Sequence, residues 1–192
     1  EFLPISSSGH LVLIPNLTEL PDQGRIFDVA VHFGSLCAVI IYLWSDLTKV
    51  ILGFITFGSK SEKGLKLGTY AIIASLPLFF AGYIIQSMDI EWIRSLEIIA
   101  WTTIIFGILL FIADNFFLRI KNLENLSFPS VIFIGLAQVI AFLPGTSRAG
   151  IVITACRILG FERKDAARFS LLLSVPAILG ASTLELIELI NS

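Results

Sequence analysis

Phe2-Leu3-Pro4-Ile5-Ser6-Ser7-Ser8-Gly9 returns 140 positions later as Phe142-Leu143-Pro144-Gly145-Thr146-Ser147-Arg148-Ala149. Both copies lie in strongly apolar sequence. Each places a proline, small residues and a run of hydroxyls where a continuous buried helix would have none. A residue before proline is pushed out of the α region, so a helix entering either stretch should stop there. The hydroxyl run then offers Ser or Thr as the N-cap of a new helix. Two broken, polar loops at matching places in two halves of a membrane protein point to a binding site between the halves.

Composition places the chain in a bilayer. Of 192 residues, 56% are hydrophobic and 15% charged, against a soluble norm of about 45–50% apolar and about 25% charged. Mean hydropathy is +0.90. The length suits a single integral membrane domain over residues 1–192. No basic and aromatic cluster of the kind that binds nucleic acid is present. Cys37 and Cys156 have neither paired nor metal-ligand spacing and read as small packing residues. The chain opens at Glu1 inside a motif and closes at Ser192 after an apolar helix, so it is expected to be a fragment without an N-terminal helix and C-terminal helices.

A spanning helix needs roughly 20 apolar residues. Ile26–Trp44, Gly68–Met88, Leu96–Leu118 and Ala166–Ile190 satisfy this, giving about four transmembrane helices. Pro77 and Pro176 fall inside two of them, which is tolerable where neighbouring groups satisfy the freed carbonyls. Val50–Phe57 is too short to span and is assigned to the interface. Glu1–Leu20 and Phe128–Gly160, each broken at its motif, are predicted to be re-entrant helical hairpins. Such loops survive at membrane depth only inside protein or a water-filled cavity.

Three crossings separate the hairpins, so they enter from opposite faces, as in an inverted-topology repeat. Residues 1–45 and 128–190 are the corresponding halves. Ser35-Leu36-Cys37-Ala38-Val39-Ile40 also aligns with Ser174-Val175-Pro176-Ala177-Ile178-Leu179 at an offset of 139. Orientation follows from the cations. Lys49, Lys60, Lys63, Lys66, Arg119, Lys121, Arg157, Arg163, Lys164 and Arg168 fall on one side, Arg25 and Arg94 on the other. The first side is therefore cytoplasmic. The first hairpin enters from outside and the second from the cytoplasm.

The two copies share a scaffold and differ in charge. The second places Arg148 where the first has Ser8. A cation near the bilayer centre costs at least ~2.5–3.5 kcal/mol and is by default functional. Its planar fork suits phosphate. Gly145, Thr146 and Ser147 precede a helix start, where free N–H groups and the helix dipole attract anions. Glu1 beside a phosphate suggests a hard metal ligand for Mg²⁺ or Ca²⁺. His10 lies three residues after Ser7, in reach if both sit on a first helical turn. That pair is compatible with nucleophilic attack or general acid–base work, or with simple capping and hydrogen bonding. Asp28, His32 and Ser35 share one helix face, whereas Asp114, Glu185 and Glu188 near span ends are expected to be solvated.

Glu1-Phe2-Leu3-Pro4-Ile5-Ser6-Ser7-Ser8-Gly9-His10, with Pro144-Gly145-Thr146-Ser147-Arg148-Ala149-Gly150, resembles the bacterial undecaprenyl-diphosphate phosphatase family of the bacitracin-resistance type. The Phe27–Gly34 stretch and the spacing between motifs also fit, so the resemblance covers essentially the whole chain. It implies an enzyme that hydrolyses undecaprenyl diphosphate to undecaprenyl phosphate and inorganic phosphate, recycling the lipid carrier for cell-wall synthesis. It further implies a divalent cation, and an all-α membrane fold with inverted repeats and paired re-entrant hairpins. Glu1 corresponds to the second acid of a Glu-x-x-x-Glu motif, Ser7 and His10 to reactive-site residues of the first loop, and Ser147 and Arg148 to the phosphate-binding second loop; Ser6, with Gly145, Thr146 and Ser147, is expected to contact substrate. The family commonly has serine where Ala149 stands here. The attacking group stays open between Ser7, His10 and water.

The expected partners are a polyprenyl diphosphate and the membrane, with no nucleic acid; self-association into a homo-oligomer stays open. The expected location is the bacterial inner membrane, with the active site facing the extracytoplasmic side. Broken helices meeting at the midplane also serve transporters. A transporter or flippase that moves a polyprenyl phosphate without cleaving it is therefore the rival reading.

Overall fold

The structure, a computed structural model, describes residues 2–5, 25–86 and 95–191. Its described helices are α1 (Arg25–Tyr42), α2 (Trp44–Ile55), α3 (Glu62–Gln86), α4 (Leu96–Phe116), α5 (Phe128–Val139), α6 (Arg148–Ile158) and α7 (Arg163–Asn191). Short 3₁₀ turns at Leu123–Asn125 and Ile140–Phe142 complete the order. Among the described residues there is no strand, only an isolated bridge between Lys121 and Phe161. The protein is an all-helical, multi-pass membrane protein.

Helices α3, α4 and α7 are each long and apolar enough to cross a bilayer. Ile26–Trp44, expected as the first crossing, falls on α1, 18 residues long; its Ala30–Tyr42 part and α2 meet at a bend of 80° at Leu43 and are together apolar enough for one broken span. The stretch assigned to the interface is the second half of α2, which extends back to Trp44. Packing explains the bend. Gly53 and Gly64 let the α2 and α3 backbones approach until a Cβ on Gly53 would lie 2.8 Å from the Ser61 carbonyl oxygen. Asp46, buried on α2, is paired with Arg168 of α7.

The Phe128–Gly160 segment forms the expected hairpin. Ser127 stands at the N-cap position of α5 without a side-chain cap bond, its Oγ pairing with Ser130 Oγ at 2.9 Å, and Pro129 lies in the first turn, where a missing N–H costs nothing. Helix α6 ends in a glycine-dependent C-cap. Gly160 has φ +89°; its N–H reaches the Arg157 carbonyl at 3.0 Å, and the Phe161 N–H reaches Cys156 at 3.0 Å. With 12 and 11 residues, the two helices rise about 18 and 16 Å, roughly half of a bilayer core. The hairpin is enclosed by protein: α5 packs on α3, and α6 on α4, α5 and α7. Val131, Ile134, Val152, Ala155 and Cys156 join Ala74, Phe169 and Leu173 in one buried core. Close approach again decides the fit, since a Cβ on Gly135 would meet the Ala74 carbonyl at 2.7 Å. The complementary pattern is an outer surface of exposed Phe, Ile and Leu side chains on α3 and α4.

A layer of charge closes the end of the bundle near Asp114. This carboxylate was expected to be solvated. Instead it receives Arg157 Nε at 3.0 Å and Arg163 Nε at 2.8 Å. Arg157 is fully buried, with further bonds to the carbonyls of Asp114, Leu118 and Phe161. A guanidinium out of water needs that many acceptors. The loop before α5 is stitched to the start of α7 by Glu162 N–H to Lys121 at 2.8 Å and Leu123 N–H to Asp165 at 3.0 Å. Outside the spans, the Lys63 ammonium donates to Glu124 and holds its carboxyl below the usual carboxylate range.

Candidate active site

The second motif forms the turn between α5 and α6. Pro144 cannot continue the 3₁₀ turn, and Gly145 follows at φ +94°, a left-handed conformation that favours glycine. Glycine is required for space as well. A Cβ there would lie 2.6 Å from the Ile99 carbonyl and against the hydroxyls of Thr102 and Thr103. Ser147 then adopts φ +60° and caps α6, its Oγ accepting from the Gly150 N–H at 3.2 Å. A non-glycine residue held at such an angle costs on the order of 1–3 kcal/mol and marks a site where the surroundings over-determine the backbone.

What the strained turn presents is a helix N-terminus. The Gly150 N–H takes Ser147 Oγ and the Ile151 N–H takes the Ser147 carbonyl. The earlier N–H groups of the first turn have no intrahelical acceptor by helix geometry. Beside them lies a cavity of about 110 Å³. Gly145, Thr146 and Gly150 line one side, Thr103, Phe106, Gly107 and Leu110 of α4 another, and Pro4 and Ile5 the third. A Cβ on Gly150 would sit 3.6 Å from Pro4. The first and second motifs therefore meet. The Thr146 hydroxyl is buried and, among the described residues, has no hydrogen-bond partner.

Arg148, first residue of α6, is half-buried and donates Nη1 to the Leu173 carbonyl of α7 at 3.1 Å. That carbonyl lies three residues before Pro176, in the turn the proline disrupts. The same device recurs at the other proline. Gln138 Nε2 donates to the Ala74 carbonyl at 2.9 Å, three residues before Pro77. In both helices a side chain from the hairpin takes an acceptor next to the break, and in both the hairpin is thereby tied to a span.

Of the predicted site residues, Gly145, Thr146, Ser147 and Arg148 converge at one turn. Glu1, Ser6, Ser7 and His10 lie outside the described residues; their neighbours Phe2, Pro4 and Ile5 are described. Phe2 packs against the core, and Pro4 and Ile5 reach the cavity. His32 and Ser35 lie half-buried on α1, and the Asp28 side chain is outside those described. Cys156 is packed as expected, whereas Cys37 is exposed. Among the described residues no group of three or more His, Cys, Asp or Glu could hold a metal.

Sequence reasoning missed Thr102 and Thr103 of α4. Their hydroxyls reach the carbonyls of Pro144 and, at 3.2 Å, Gly145. The available signal was two adjacent hydroxyls within the otherwise apolar Leu96–Leu118 span. Gln138 carried a signal too, as an amide in an apolar run, but nothing in the sequence named its acceptor 64 positions away.

The family model described as bacitracin resistance protein BacA matches residues 1–192. A protein of Teredinibacter turnerae named undecaprenyl-diphosphatase is 46% identical over 93% of this chain and 68% of its own length. Two others with the same name, from Alteromonas mediterranea and Alcanivorax borkumensis, are 45% and 46% identical over all of this chain and 73% of theirs.

Proposed function

The chain belongs to the bacitracin resistance protein BacA family, and from that premise we propose that it hydrolyses undecaprenyl diphosphate where its two repeated motifs meet. The products are undecaprenyl phosphate and inorganic phosphate. The observation that carries the site is the cavity shared by Pro4 and Ile5 of the first motif with Gly145, Thr146 and Gly150 of the second. Its wall holds the Thr146 hydroxyl, which has no hydrogen-bond partner among the described residues, and the start of α6.

The chemistry follows from charge. A diphosphate brings several negative charges, and phosphoryl transfer adds little covalent work beyond positioning and neutralising them. The α6 N–H groups and dipole attract the terminal phosphate. Thr146 adds a donor, and Arg148 a fork that binds two phosphate oxygens at once. Anchoring on the Leu173 carbonyl restricts the Arg148 rotamers, so less ordering is needed when charge develops in transfer. Ser7 Oγ, a His10 ring nitrogen or a water attacks the terminal phosphorus and the bridging P–O bond breaks toward the lipid phosphate; where Ser7 or His10 attacks, a water then hydrolyses the phospho-enzyme to release inorganic phosphate. Glu1 is the residue proposed to hold Mg²⁺ or Ca²⁺, which when bound supplies charge neutralisation at the diphosphate.

The lipid substrate lies in the membrane that the helices span. The ten-to-two cation asymmetry supports a bacterial inner-membrane location with the site opening to the extracytoplasmic face. The test is inorganic phosphate release from undecaprenyl diphosphate by the purified, lipid-reconstituted protein. Release is expected, is suppressed by a chelator and returns on adding Mg²⁺ or Ca²⁺. Recovery of intact diphosphate under all of these conditions overturns the reading.

A further inference from the structure

On the hydrolytic reading above, phosphate sits at the start of α6, so the turn that leads into that helix has to be held. Resting on that reading, we propose that Thr102 and Thr103 of α4 are positioning residues that hold the Pro144 and Gly145 carbonyls on α4 and so fix the turn leading into the α6 cap. Thr102 is buried, and its hydroxyl lies near three oxygens: Ile98 at 2.8 Å, Ile99 at 3.0 Å, and Pro144, the nearest. A hydroxyl has one proton to give. In an isolated helix a threonine gives it to its own preceding turn. Here a loop carbonyl 42 positions away competes for it. Thr103, on the cavity wall, donates to the Gly145 carbonyl at 3.2 Å.

Two consecutive peptides are thereby tied to one helix. Because a trans peptide is planar, its N–H points opposite to its C=O. With both oxygens on α4, the Gly145 and Thr146 N–H groups point away from α4. The Thr146 N–H closes the turn onto Leu143 at 3.2 Å. Released from the threonines, the same peptides are free to rotate and shift the start of α6 relative to an anionic diphosphate. The tie also explains why Gly145 must lack a Cβ, since both hydroxyls occupy its position. Ser147, strained at φ +60°, is the next residue along, so the tie holds the backbone into the α6 cap.

Valine removes each hydroxyl at nearly constant shape, and serine keeps it while removing a methyl. The variants Thr102→Val, Thr103→Val, Thr102→Ser and Thr103→Ser are compared in the purified, lipid-reconstituted protein. Amide hydrogen exchange over residues 143–147 is measured alongside phosphate release from undecaprenyl diphosphate. The valine variants should exchange several-fold faster in that segment. They should lose kcat on the order of 10-fold, less than the ~10²-fold of deleting a transition-state donor outright, with KM within about twofold. The serine variants should keep both properties near wild type. Unchanged kcat in both valine variants overturns the proposal, as do serine variants impaired as much as valine. A wild-type protein that releases no phosphate fails the hydrolytic reading instead. The exchange rates then still decide whether the threonines hold the loop.

Discussion

Arg148 and Ser147 are motif residues that also hold the fold. Arg148, the residue proposed to bind phosphate, anchors on the Leu173 carbonyl. Arg148→Ala should cut phosphate release by at least about 10²-fold while circular dichroism and gel-filtration profiles stay native. Arg148→Lys should not rescue, because an ammonium keeps the charge without the fork. Near-normal turnover in either variant would sink the assigned role. Ser147 makes a prediction of opposite signs. Ser147→Ala keeps the strained φ of +60° and loses the cap, costing about 1 kcal/mol. Ser147→Gly loses the cap at a cost of only a few tenths and removes strain of about 1–3 kcal/mol. Thermal unfolding in detergent should therefore rank Gly at or above wild type and Ala below it. An Ala variant as stable as Gly would show that no strain is stored. The Ser147 identity was legible in the motif; its backbone angle was not, because it depends on α4 pressing from outside the motif.

Elements are held together here by close backbone approach and by a few long-range ion pairs. Gly135 on α5 leaves no room for a methyl against the Ala74 carbonyl. Gly135→Ala should destabilise by about 1–3 kcal/mol as overpacking, read as a lower unfolding temperature; no change would mean that α3 and α5 are free to separate. The Asp46–Arg168 pair joins α2 to α7. Its partners are unequal, with side chains 9% and 41% exposed. Arg168→Gln strands the buried carboxylate, whereas Asp46→Asn leaves a guanidinium that can turn toward water. The arginine variant should therefore lose more stability, by about 1–2 kcal/mol, and the reverse order would contradict the pairing. Apolar runs showed the α3, α4 and α7 spans, and Pro144 with its hydroxyls showed the break between α5 and α6. The 80° turn at Leu43 has no proline or glycine to announce it. It follows from Gly53 and Gly64 drawing α2 onto α3, a pairing between residues of different elements.

For the molecule as a whole, the test is sidedness. With Cys37 and Cys156 replaced by serine and alanine, a single cysteine at Ser61 should react with a membrane-impermeant maleimide only from the cytoplasmic side. One at Asp89 should react only from outside. Labelling of both from the same side would refute an odd number of crossings between the hairpins. The sequence alone determined that the chain lives in a bilayer, that it carries one motif twice, and that its charge is divided between the copies. Those properties are carried by composition, by period and by residues near one another in the chain. The tertiary structure alone decided that Pro4 and Ile5 stand across a cavity from Thr146 and Gly150. It also decided that Asp114 is gripped by Arg157 and Arg163, and that Thr102 and Thr103 hold the loop. Each of these joins residues tens to more than a hundred positions apart. A hydroxyl or carboxylate in an apolar run announces that a partner must exist, but only packing selects which one.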